Sequence, residues 1–237
     1  MAQNPKSGGL SHEKVETNNF LMIVLIFIVL LVGGMVEIVP LFFQKSTTEP
    51  VPGLKPYTAL QVVGRDVYVR EGCYNCHSQM IRPFRAETLR YGSYSLAGEF
   101  VYDRPFQWGS RRTGPDLARE GLLRPDLAWH YRHLVNPREL EPDSIMPAYP
   151  WLKEQSVDRS QLFGRISALR TLGVPYRAEA STPAAIQNDY DAQAKEVVKT
   201  LADKGIVVRA DSEMVALLAY LRCLGLNVET LSPEARR

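Results

Sequence analysis

Gly72-Cys73-Tyr74-Asn75-Cys76-His77 is the stretch on which the reading of this chain turns. Two thiols three positions apart can add to the two vinyl groups along one edge of a porphyrin, and the residue that follows then sits beneath the ring. Cys-x-x-Cys-His therefore reads as the covalent attachment site of a c-type haem. In this reading Cys73 and Cys76 carry the thioether bonds and the His77 imidazole is the proximal iron ligand. Thioether bonds hold the haem when the domain opens, which suits an extracytoplasmic protein. A zinc knuckle would need a second ligand pair, and a dithiol redox motif would have no use for His77. The remaining cysteine, Cys223, has no partner for an intrachain disulfide once the haem is attached, and reads as a small buried hydrophobe.

An electron carrier needs a sixth iron ligand, since a haem held by His77 alone would bind gases. Met80 follows His77 too closely to reach the opposite face of the ring. Met214 falls among Leu217, Leu218 and Leu221, where core packing is the simpler role. Met1, Met22 and Met35 lie in the N-terminal tail or in the apolar run after it. Met146 remains, in the proline-held stretch Asp143-Ser144-Ile145-Met146-Pro147-Ala148-Tyr149-Pro150. His130 and His133 are its rivals, and their plainer reading is a surface or propionate-contacting histidine. A thioether raises the reduction potential of the iron, which fits the high-potential end of a respiratory chain. Arg104, Arg111 and Arg112 are placed either to pair with the haem propionates or to form a solvated basic surface, and the sequence leaves that choice open.

Upstream, residues 1–19 are polar with mixed charge, Lys6 among them, and read as a short tail. Residues 20–43 are almost wholly apolar and, at ~1.5 Å per residue, long enough to cross a hydrocarbon layer of about 30 Å. No Ala-x-Ala-like site follows, so the run reads as an uncleaved transmembrane anchor. Lys6 and Lys14 before it are matched by Lys45 and Lys55 after it, so charge does not orient it. Haem attachment does: c-type haem is added on the outer face of the bacterial inner membrane, which puts the tail in the cytoplasm and the rest in the periplasm. Gly33, Gly34 and Glu37 mark either a face buried against another membrane subunit or, for Glu37, a carboxylate reaching the headgroups. Residues 44–58, rich in proline, read as a semi-rigid spacer.

The fold class expected for residues 59–237 is mainly α, a class I-like cytochrome c domain with long insertions. Leu60, Val63, Gly64 and Val67 recur at helical spacing up to the haem motif, and Met214, Leu217, Leu218 and Leu221 do so near the other end, with Asp211 as N-cap and Gly225 as C-cap. The two are expected to pack as a terminal pair, with Tyr220 in the core. Between them come a Thr113-Gly114-Pro115-Asp116-Leu117 turn, a helix over residues 125–135 stopped by Asn136-Pro137, a loose loop over 174–191 and an exposed amphipathic helix over 192–205. Net charge is +2, from 28 basic and 26 acidic residues in 237, so no nucleic-acid partner is indicated.

The anchor, the extension Ser78-Gln79-Met80-Ile81-Arg82-Pro83, the Thr113 to Leu117 turn, Trp129-His130-Tyr131-Arg132-His133-Leu134 and Ser144-Ile145-Met146-Pro147 together closely resemble the monohaem subunit II of cbb3-type cytochrome c oxidases. The resemblance implies one covalent haem c on Cys73 and Cys76, with His77 and Met146 as axial ligands. It also implies that electrons pass from a dihaem cytochrome c subunit to the haem b of a catalytic subunit, where a high-spin haem b3 and copper reduce oxygen to water with proton pumping. The chain itself would hold no catalytic centre. The cytochrome c subunit of nitric oxide reductase shares the plan of anchor plus one haem but is shorter, and the insertions at 81–112 and 174–206 favour the oxidase. A haem-based gas sensor, with its sixth position open, is the reading from a different class.

Overall fold

The computed structural model of the chain describes residues 12–109, 111–178 and 181–226. The chain divides into two units, Met1–Glu49 and Pro50–Arg237. Lys6 and the rest of the tail's first eleven residues lie outside the described residues.

The first unit holds α1 (His12–Thr17), α2 (Asn19–Ile38), a 3-10 turn over Val39–Phe43 and α3 (Lys45–Thr48). The Asn18 side chain starts α2 by accepting from the Leu21 amide at 3.0 Å. Pro40, which lacks a backbone donor, falls at the start of the tighter turn that follows. The helical run Asn19–Phe43 is 25 residues long, its most apolar 18 residues have a mean hydropathy of 2.9, and none of it is buried. An apolar helix of that length with no buried residue is stable in lipid and not in water, which is consistent with single-pass membrane anchoring.

The second unit contains α4 (Ala59–Arg70), α5 (Arg85–Tyr91), α6 (Glu120–Leu123), α7 (Leu127–Val135), α8 (Pro137–Leu140), α9 (Leu162–Thr171), α10 (Pro183–Ala202) and α11 (Glu213–Cys223). Among the described residues there is no strand beyond an isolated bridge between Ser156 and Ser212. The expected mainly helical class is what the chain forms.

The core is built on α4 crossing α11. Gly64 makes the crossing possible: a Cβ there would lie 1.9 Å from the Ala216 carbonyl oxygen and 2.8 Å from the Tyr220 Cβ. With the backbones that close, Leu60, Val63 and Val67 of α4 and Met214, Leu217 and Leu218 of α11 are buried against one another. Each such side chain contributes roughly 1.5–3 kcal/mol on leaving water. Arg70, at the end of α4, donates to the Glu213 carboxylate and ties the pair at its rim. Tyr220 is buried as expected and shares hydrogen bonds with Gln79. Cys223 donates to the Tyr220 carbonyl at 3.0 Å, and burial pushes its thiol well above the usual range, as befits an inert sulfur.

Three expectations need correction. The helix cap is Ser212, whose hydroxyl accepts from the Val215 amide at 3.3 Å; Asp211 is instead engaged by Arg209. Residues 183–191 are not a loose loop, because α10 begins at Pro183, with Thr182 as its cap. Pro183 costs nothing at the first helical position, where no amide is needed. Nor is α10 merely exposed: Ile186, Tyr190, Ala194, Val197 and Leu201 enter the core, and Asp189 accepts from the Ala59 amide at the start of α4. Residues 50–58 also pack on the domain, with Val51 buried and its amide on the Gly98 carbonyl at 3.1 Å.

Candidate functional site

The Cys-x-x-Cys-His stretch follows α4 directly. A single 3-10 turn over Cys73–Asn75 is closed by the Cys76 and His77 amides, both on the Cys73 carbonyl, at 3.2 and 2.9 Å. This brings the two sulfurs and the imidazole to one side of a short loop. Burial, reinforced by the Glu71 charge, pushes the Cys73 thiol up to about 12.

The Thr113 to Leu117 turn fixes His77. The Pro115 carbonyl lies 2.8 Å from His77 Nδ1. A carbonyl only accepts, so Nδ1 carries the proton and Nε2 keeps its lone pair for a metal, the arrangement that orients ligating histidines. Gly114 gives the ring its room, since a Cβ there would stand 2.3 Å from the imidazole Cε1. The Gly114 amide also donates to the Cys76 carbonyl at 2.9 Å. Asp116, fully buried, fastens the next stretch by accepting from the Ser78 hydroxyl at 2.6 Å and the Met80 amide at 3.0 Å.

Cys73, Cys76 and His77 line a cavity of about 520 Å³ together with Met146, Pro147 and Tyr149 from the loop after α8. Its apolar wall comes from Tyr68, Leu117, Leu134, Leu217 and Leu221. The size and the largely apolar lining with a few convergent polar groups fall within the range of small-molecule and cofactor sites. Met80 and Met214 are not on this wall; Met214 is wholly buried in the core, as expected. Among the described methionines, Met146 alone faces the cavity.

Both histidine rivals are also on the wall. Burial lowers the pKa of each. His130 Nε2 is taken by the Arg124 carbonyl at 2.8 Å. His133 stacks on Trp129 at 4.5 Å between centroids, and its buried Nδ1 has no hydrogen-bond partner.

The three arginines named from sequence do not line the cavity. Arg112 is spent on Ser78, on the Met80 carbonyl and on Glu87. The arginine that does is Arg124, which reaches both oxygens of buried Glu120 at 3.3 Å and lies 4.9 Å from the Trp129 ring centroid. No local pattern marks Arg124 or Glu120. They reach the site because α6 packs beside α11, the Gly121 amide donating to the Leu224 carbonyl at 3.0 Å.

A family model described as the cytochrome c oxidase mono-heme subunit, FixO, matches residues 12–228. No curated protein matches the chain.

Proposed function

We infer the role of this chain from the family it belongs to, the mono-haem subunit (FixO) of cytochrome c oxidase, an oxidoreductase complex, and from the cavity at its Cys-x-x-Cys-His motif. The chain is the electron-transfer subunit of a cbb3-type oxidase. Anchored by residues 20–43 in the bacterial inner membrane, with Pro50–Arg237 in the periplasm, it carries electrons from a dihaem cytochrome c subunit to the haem-copper subunit that reduces oxygen.

The observation that carries this reading is the meeting of Cys73, Cys76 and His77 with Met146, from a distant loop, on one cavity of cofactor size. When bound, haem c supplies one-electron iron chemistry at a potential raised by His/Met ligation. The residues do the rest. Cys73 and Cys76 hold the group by thioether bonds, Pro115 and Gly114 aim His77 Nε2, Met146 offers its thioether, and the leucine wall excludes water. The chain has no catalytic centre of its own in this reading.

Replacing Met146 with Leu tests it. The expected result is loss of the low-spin haem spectrum and a fall in reduction potential; an unchanged spectrum would move the sixth ligand to His130 or His133, or leave it open as in a gas sensor. The subunit and haem content of the purified complex separates the oxidase from a nitric oxide reductase.

A further inference from the structure

A second cavity, of about 190 Å³, lies in the Pro50–Arg237 unit and shares no lining residue with the first. Asp103 is on its wall, only 4 % exposed, and neither of its carboxylate oxygens meets full hydrogen-bond geometry with a partner among the described residues, although the Tyr57 hydroxyl faces it. Its nearest cation is Arg65, whose Nε stands 3.5 Å from Oδ1 and is itself without a hydrogen bond. The other Arg65 nitrogens are committed to the Arg104 and Pro105 carbonyls. An ionised carboxylate offers about four lone pairs, and leaving them unmet away from water is costly.

The groups around Asp103 only ease this. Tyr57, from the segment before α4, and Tyr220 and Cys223, from α11, face it; burial raises the pKa of all three, so they stay neutral and offer no counter-charge, and of them only the Tyr57 hydroxyl works against the upward pull of burial on the carboxyl. Arg104, the next residue, is the second cation near it. Glu99 on the same wall is unlike Asp103, because it is clamped by Arg119 at 2.6 and 2.9 Å and accepts from the Leu96 amide. The cavity is roomy enough for several waters, each needing roughly 10–15 Å³ by this measure.

We propose that Asp103 is an internal proton-binding site of this domain, served by water in the second cavity, which takes up one proton when the haem of the first cavity gains one electron. The balance is simple: the donor of the complex supplies the electron, solvent supplies the proton, and the carboxylate becomes a neutral carboxylic acid beside Arg65. The acid's O–H then has water or the Tyr57 oxygen to donate to. Burial already holds the Asp103 carboxyl up at about 6, against the opposing pull of Arg65. The two cavities are joined through buried matter in which charge is screened little. Tyr68, on the first wall, packs on Tyr220 at 5.3 Å between centroids, Tyr220 packs on Tyr57 at 5.7 Å, and Gln79, on the second wall, donates to Tyr220 at 3.0 Å. An added electron makes the interior more negative and raises the Asp103 pKa further. The haem potential should therefore fall with rising pH between the oxidised-state and reduced-state values of that group, a window opening near pH 6, and level off on either side.

This rests on the haem-carrier reading. The test is potentiometric titration of the full chain in its purified complex from pH 5 to 8, with reduced-minus-oxidised infrared spectra in H2O and D2O. The expected result is a carboxylic acid C=O band that appears on reduction, shifts in D2O and is absent from Asp103→Asn, whose potential no longer varies across the window. A band that survives in Asp103→Asn, or a wild type with neither band nor pH dependence, overturns the proposal. If Asp103→Asn does not fold, Tyr57→Phe removes the hydroxyl facing the acid; the band should change frequency, and an unmoved band overturns the proposal. A wild type without a low-spin haem spectrum would overturn the carrier reading instead.

Discussion

Helices α2 and α11 are both apolar nearly throughout, yet α2 buries no residue while α11 buries nine of its 11, Glu213 to Leu221. Composition alone does not separate them. Length does: α2 with its terminal turn reaches the thickness of a bilayer, and at ~1.5 Å per residue α11 covers only about half of that. Their close-approach glycines separate them further. A Cβ on Gly33 or Gly34 of the anchor would meet nothing within 4 Å, whereas one on Gly64, the residue over which α11 crosses, would collide with backbone. A glycine in a core crossing answers to a neighbour in its own unit; among the described residues no neighbour stands where a Cβ on an anchor glycine would go.

The strongest way to break that contrast is Gly64→Val. Overpacking usually costs about 1–3 kcal/mol, and here the obstacle is the Ala216 carbonyl, which cannot rotate away, so a loss above about 3 kcal/mol and collapse of the urea unfolding midpoint are expected. A mild effect would mean that α4 and α11 separate easily. Gly114→Ala should come next. Its obstacle is the His77 side chain, so the fold should survive while the ring is displaced and the low-spin haem absorption is weakened or lost. Gly33→Ala should do least, leaving the unfolding midpoint of the Pro50–Arg237 unit within about 0.5 kcal/mol of wild type. A larger change would show that the anchor glycines pack within this chain and would erase the contrast.

What the sequence made readable follows the same division between local and distant causes. The periods of α4 and α11 and the apolar run are local patterns, and each forms the helix it predicts; the Cys-x-x-Cys-His motif is equally local. The start of α10 was missed because Ala-Pro composition resembles a loop; Thr182-Pro183 is a local start signal that the composition masked. The cap of α11 was misplaced by one residue because Asp211 and Ser212 are both capable, and only the Arg209 contact, made in three dimensions, removes Asp211 from the contest. The Thr113 to Leu117 turn was legible as a turn, but the Pro115 carbonyl on His77 was not. Arg124, Glu120 and Asp103 reach their cavities through packing between remote segments, and no spacing rule could have selected them over Arg104, Arg111 and Arg112.

The α4 and α11 crossing also sets an order in time. The first helix of the Pro50–Arg237 unit has its main partner in the last described helix of the chain, so the core cannot close until nearly every residue has been made. Contacts of such long sequence separation form late and slowly. Until then the attachment loop that follows α4 has no floor of Leu217 and Leu221 beneath it, and both thiols remain open to whatever must reach them. A chain truncated before Glu213 would stay in that open state, its first helix synthesised and its apolar face still waiting.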